Sequence, residues 1–179
     1  MKNIFVHSIE ESIKVKQKMM DNKYLKNLKL LGDKMIHCIS KGNKIMLCGN
    51  GGSAADAQHL AAEFLVRLRP KVNRQALPAL ALAQDTSTIT ACGNDFGFNK
   101  LFERTLSAIG KKGDILICIS TSGNSTNIEL AAKLSKSLGI YSFGFLGNDG
   151  GTIKKFCNNY IIVPSNNTAR IQESHITIG

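Results

Sequence analysis

Two periods of hydrophobic and polar residues run along the chain. From Ser8 to about Met20 and from Asn22 to Lys41 apolar residues recur every three or four positions, Ile9, Ile13 and Met20 in the first stretch and Leu25, Leu28, Met35 and Ile39 in the second. This spacing predicts two amphipathic helices, the second closed by Gly42 and Asn43. Residues 44–48 are a short continuous apolar run that empties into Gly49-Asn50-Gly51-Gly52-Ser53, and an alanine-rich helical pattern follows to about Leu68, with Pro70 beyond it. The order is strand, glycine loop, helix.

The same order repeats down the chain. Residues 76–82 read as strand before the polar helix opening Asp85-Thr86-Ser87-Thr88, and residues 99–109 read as helix. Residues 115–119 are apolar throughout, as a strand buried on both faces should be. They lead into Ser120-Thr121-Ser122-Gly123-Asn124-Ser125 and a helix from about Asn127 to Leu138, stopped by Gly139. Residues 140–146 and 160–163 supply two more strands, and a last helix starts near Ala169. Five strands alternating with helices predict an α/β fold, a doubly wound five-stranded parallel sheet flanked by helices. Ligands bind such sheets beyond the carboxyl ends of the strands. Residues 1–42 are expected to form N-terminal oligomerisation helices within the same domain as the sheet, which takes residues 43–179. Their apolar faces exceed what a small domain covers, which predicts packing against another subunit.

Composition narrows the class. With 179 residues, 43% hydrophobic and 20% charged, the chain fits one folded domain and excludes fibrous and disordered readings. No stretch approaches the roughly 20 apolar residues of a membrane span, and the N-terminal segment turns acidic at Glu10 and Glu11, where a signal peptide would be apolar. A cytoplasmic protein without a membrane partner is expected. The formal charge of +10 would suit nucleic acid or a small anion. The lysines are scattered rather than gathered in a stripe with aromatics, so a solvated basic surface and no nucleic-acid partner are expected. Five separated cysteines with no CxxC pair read as reduced packing residues.

Chemistry concentrates in the loops after the first and third strands. Ser120, Thr121, Ser122 and Ser125 place four hydroxyls at a helix start, where backbone amides and the helix dipole favour an anion, and Gly123 permits close approach. A phosphate ester fits there, and an ordinary N-cap cluster is the plainer alternative. No lysine follows the glycines, which disfavours nucleotide hydrolysis. His59 and Glu63, four apart, share a helix face and could bind a divalent metal or act as a base with its partner, or be a solvated pair. Asn94-Asp95 reads as a turn in which either side chain could bind sugar hydroxyls. Gln172 and His175 share a face of the last helix, where Arg170 could reach an acid; His7 and His37 read as structural.

Taken in order, Cys48-Gly49-Asn50-Gly51-Gly52-Ser53, Asp56-Ala57-Gln58-His59 with Glu63, Gly93-Asn94-Asp95-Phe96-Gly97-Phe98-Asn99, the Ser120–Ser125 loop, Asp149-Gly150-Gly151 and Arg170-Ile171-Gln172-Glu173 with His175 resemble the sugar isomerase (SIS) domain family, and most closely its phosphoheptose isomerases. The resemblance covers nearly the whole chain. It implies aldose–ketose isomerisation of sedoheptulose 7-phosphate to D-glycero-D-manno-heptose 7-phosphate through an enediol, for surface polysaccharide. It implies Gly51, Gly52, Ser53, Glu63, Asn94, Asp95, Ser120, Thr121, Ser122, Ser125 and Gln172 as substrate contacts. His59, Glu63 and Gln172 would be zinc ligands, Glu63 would also be the catalytic base, and the assembly would be a homotetramer with sites near subunit boundaries. A further histidine, the fourth ligand and general acid, is expected just past Gly179, in a natural chain that continues. The alternative is a non-catalytic SIS-domain adaptor resembling the replication-initiator-associating protein, which Thr168-Ala169-Arg170-Ile171-Gln172 also resembles. A sugar-phosphate-sensing regulator ranks last, because the two N-terminal helices hold no recognisable helix-turn-helix.

Overall fold

The computed structural model describes residues 3–82 and 85–179. Five strands, β1 (Ile45–Gly49), β2 (Ala79–Ala81), β3 (Ile115–Ser120), β4 (Tyr141–Leu146) and β5 (Asn159–Ile162), form one parallel sheet in the order β2-β1-β3-β4-β5. The chain leaves β1 toward β2 on one side and builds β3, β4 and β5 on the other, so the winding reverses between β1 and β3. That reversal opens a crevice at the carboxyl ends of these two strands.

Successive β3 side chains enter different cores. Ile115, Ile117 and Ile119 pack on one face beneath α1 (Ile4–Lys18), α2 (Asn22–Ser40), α3 (Gly52–Leu65) and α7 (Thr168–Ile178). Leu116 and Cys118 pack on the other, beneath α4 (Thr86–Asp95), α5 (Leu101–Ile109) and α6 (Thr126–Ser137). The sheet is thus wound on both faces, as the uninterrupted apolar strands require. At its far end the buried Asp114 carboxylate accepts from the Lys44 amide at 3.0 Å, the Lys111 amide at 2.8 Å and Lys44 Nζ at 2.5 Å, fixing where β1 and β3 begin.

Several boundaries differ from those the sequence predicts. α1 starts at Ile4 rather than Ser8, because the Asn3 side chain accepts the Phe5 amide at 2.9 Å and caps it. β2 spans three residues rather than seven, pairing with Ile45–Leu47 alone as an edge strand. Asn94 and Asp95 sit in the last turn of α4, not in a loop: Asp85 caps that helix through the Thr88 amide at 2.7 Å and Cys92 anchors it, so the helix runs through Gly93. His7 and His37 are exposed rather than structural. The cysteines are free, and Cys38, Cys48, Cys92 and Cys118 are buried packing residues as expected.

Candidate active site

The loops after β1 and β3 meet at the crevice. Gly51, with φ +54°, turns the chain from β1 into α3, a conformation that a residue with a Cβ rarely adopts. Asn50 and Asn127 then exchange two side-chain hydrogen bonds, each 2.9 Å long, and tie this turn to the first turn of α6. Asn127 is buried and Asn50 half-buried, so the pairing satisfies a buried amide that would otherwise lack partners.

The hydroxyl loop does not behave as a helix cap. Ser125 occupies the N-cap of α6 yet makes no side-chain capping bond. Its Oγ instead lies 3.2 Å from Ser120 Oγ, and Ser120 Oγ accepts the Gly123 amide at 3.1 Å. Ser122 Oγ accepts the Asn124 amide at 3.1 Å. α3 likewise starts without a side-chain cap, whereas α1, α2, α4 and α7 each carry one. The two helices that start at the crevice thus carry no side-chain cap at the N-cap residue, nor does α5, and their positive ends begin at the crevice, where an anion is favoured. Gly123 crosses the loop after β4 so closely that a Cβ would lie 2.3 Å from the Gly150 carbonyl carbon.

His59 and Glu63 lie farther along α3. His59 Nε2 is 3.6 Å from Glu63 Oε1, and both line a cavity of about 410 Å³ with Leu60, Arg74 and Ile176. Seven residues separate His59 from Gly52, about 10 Å of helix, so the pair stands in the second half of α3, away from the glycine loop. Gln172 stands at the glycine-loop end: its side-chain amide lies against Gly52, where a Cβ would come within 2.0 Å of Nε2. It lines a second cavity with Asp56, Ala169, Glu173 and Ile176, and Ile176 borders both. The face of α7 thus joins the glycine loop to the His59–Glu63 pair. Asn94 and Asp95 are exposed at the end of α4, with Asn94 Nδ2 donating to Asp95 Oδ1 at 2.8 Å.

An imidazole nitrogen and a carboxylate oxygen 3.6 Å apart suit a shared divalent cation. Among the described residues no three His, Cys, Asp or Glu side chains cluster for a metal.

Sequence reasoning passed over three groups that border these residues. Asp56 is buried with Oδ2 unpartnered, and burial pushes its carboxyl above the usual carboxylate range while His59 draws it down. The Asn50–Asn127 pair and Arg74 were also missed; the asparagine before the double glycine was the visible signal for the former. His175, by contrast, is a core residue. Its ring lies near Phe145, Nε2–H donates to the Leu146 carbonyl at 3.1 Å, and burial lowers its pKa to about 4.

A parallel sheet whose crevice is flanked by two helix starts and a hydroxyl-rich loop defines a doubly wound α/β domain with an anion-favouring crevice. Residues 9–147 match the SIS domain model, and the chain belongs to the SIS domain family. Within that family it is one of the phosphoheptose isomerases, which are aldose–ketose isomerases. The chain is 49% identical over 180 residues to the phosphoheptose isomerase of Clostridium acetobutylicum, covering 100% of this chain and 91% of that one. Its fold matches phosphoheptose isomerase GmhA from Neisseria gonorrhoeae with a TM-score of 0.90 at 39% identity, over 97% of this chain and 91% of that one. A phosphoheptose isomerase from Francisella tularensis matches with a TM-score of 0.91 at 35% identity, over the same shares of each chain, 97% and 91%.

Proposed function

We propose that the chain interconverts sedoheptulose 7-phosphate and D-glycero-D-manno-heptose 7-phosphate in the cytoplasm, supplying heptose for surface polysaccharide. The observation that carries the reading is the loop Ser120–Ser125, where the Ser120 and Ser125 hydroxyls turn toward each other and leave α6 without a side-chain cap. A phosphate ester on Ser120, Thr121, Ser122 and Ser125 completes that site and anchors the sugar by its unreactive end, so remote binding energy orients the reacting carbons. Gly51, Gly52 and Ser53, with Asn94 and Asp95, contact the sugar.

Glu63 acts as base. It takes the proton from C1 of the ketose, the C–H electrons form the C1–C2 double bond, and the C2 carbonyl oxygen gains a proton, giving the enediol. Loss of the O1 proton and return of a proton to C2 then yield the aldose, with no net oxidation. His59, Glu63 and Gln172 would hold zinc, which when bound would act as a Lewis acid on the carbonyl oxygen.

The test is turnover of sedoheptulose 7-phosphate with zinc supplied and with chelator. Zinc-dependent formation of the heptose phosphate supports the reading; turnover indifferent to chelator removes the zinc assignment. No turnover under either condition, with the protein folded, favours the non-catalytic adaptor.

A further inference from the structure

We propose that Arg74 is a positioning residue for Glu63: its guanidinium clamps the last turn of α3 and so holds the Glu63 carboxylate in the cavity. The inference rests on the reading of Glu63 as the base. α3 lacks the usual devices for ending a helix. No basic residue occupies its last turn, and Val66 rather than a glycine follows Leu65, with φ −107° and ψ −91°. The Val66 amide bonds the Ala62 carbonyl at 2.8 Å, which leaves the carbonyls of Glu63 and Phe64 to be met from outside the helix.

Arg74 meets both. Nη2 donates to the Glu63 carbonyl at 2.5 Å and Nη1 to the Phe64 carbonyl at 2.9 Å, while Nη1 also donates to the Gln75 carbonyl at 2.9 Å. Among the described residues the one other bond to this pair is from the Leu77 amide to the Phe64 carbonyl, at 3.1 Å. A cation at a helix C-terminus also gains from the dipole. Residues 66–78 contain no helix or strand, so Arg74 fastens the end of α3 to an irregular segment. Glu63 is the third residue from the end of α3, within the turn that frays first. Arg74 lines the same cavity as Glu63 and His59. Three carbonyls met by one planar fork are beyond the reach of a lysine ammonium at a single point.

The test compares R74M, R74K and R74A with the parent chain, with zinc supplied. In R74M and R74K kcat is expected to fall about 10- to 100-fold through misplacement of the base, with KM for sedoheptulose 7-phosphate within about twofold. Backbone amides at residues 63–66 should exchange about tenfold faster, and those of β1 and β3 unchanged. Millimolar guanidinium should restore part of kcat in R74A and none in E63Q. A kcat within about twofold of the parent in R74M, or unchanged exchange at residues 63–66, overturns the proposal. If R74M does not fold, the same exchange and kcat comparison in R74K decides. A parent with no turnover would sink the functional reading instead, and exchange at residues 63–66 would still report whether Arg74 clamps the turn.

Discussion

Glu63 keeps its shape but loses its basicity when replaced by glutamine. Glu63→Gln should lower kcat by about a thousandfold while the melting temperature stays within a degree or two, because the side chain is only partly buried and packs in no core cluster. Near-parental turnover would remove Glu63 from the base role. His175 supports a prediction of the opposite kind, on stability rather than rate. Its folded pKa is about 4 against an ordinary 6.5, so below pH 6.5 the unfolded chain takes up a proton that the folded chain refuses. Stability should therefore fall as pH drops from 6.5 toward 4, by about 3 kcal/mol in full from this group. Denaturant titrations across that window should slope less in His175→Phe than in the parent; equal slopes would assign the acid sensitivity elsewhere. The residue types at the site were legible from the sequence where chemistry dictates them. The deep burial of His175 was not, because its partner is a β4 carbonyl that no local pattern announces.

The start of α3 and the face of α7 depend on one missing side chain. Gly52 lies within the helix with an ordinary φ, so alanine suits its backbone at least as well. Its new Cβ would strike the far end of Gln172, a flexible amide that can swing aside. Gly52→Ala should therefore fold and melt like the parent while activity falls about tenfold or more, as displacing a positioned group does; retained activity would take Gln172 out of the site. Elements were the scale at which the sequence spoke most clearly. The uninterrupted run of β3 read as a strand buried on both faces, and the glycine and hydroxyl loops fell where strand gave way to helix. The errors have local causes. Three paired residues define β2, so the apolar stretch around it overstated its length. In α4, Gly93, Asn94 and Asp95 look like a turn, but a good cap at Asp85 and the packing of Cys92 carry the helix through them. Arg74 was invisible because the carbonyls it meets precede it by ten and eleven residues across an irregular loop.

The whole molecule leaves one surface conspicuously apolar. Phe5 is 75% exposed, Ile9 62% and Ile13 50%, spaced four apart along α1, a stripe of the sort that marks contact with another subunit. We expect light scattering to give the mass of a tetramer and Phe5→Glu combined with Ile9→Glu to give a smaller species of unchanged helix content; a monomeric parent would refute this. Ile9 and Ile13 of the stripe were visible in the sequence, but Phe5 was not, because the helix was expected to start at Ser8, and neither was the inner anchor of α1. Buried Arg170 of α7 donates to the Ser8 carbonyl and, at 2.9 Å, to Ser8 Oγ, and pairs with Glu173 at 3.0 Å and Glu11 at 3.7 Å. These partners, apart from Glu173, lie about 160 positions away in the chain. A last consequence concerns the crossing of Gly123 with Gly150 and Gly151, where all three residues have positive φ and the two loops share bonds from the Ile153 amide to the Gly123 carbonyl and from the Thr152 amide to Asn124 Oδ1, both 3.0 Å. Neither loop has room for a side chain while the other keeps its path. The two stretches are therefore a single unit of inheritance despite their separation in sequence: variation at one is selectable only alongside variation at the other, and a mutant library meant to reshape the phosphate end has to randomise both together.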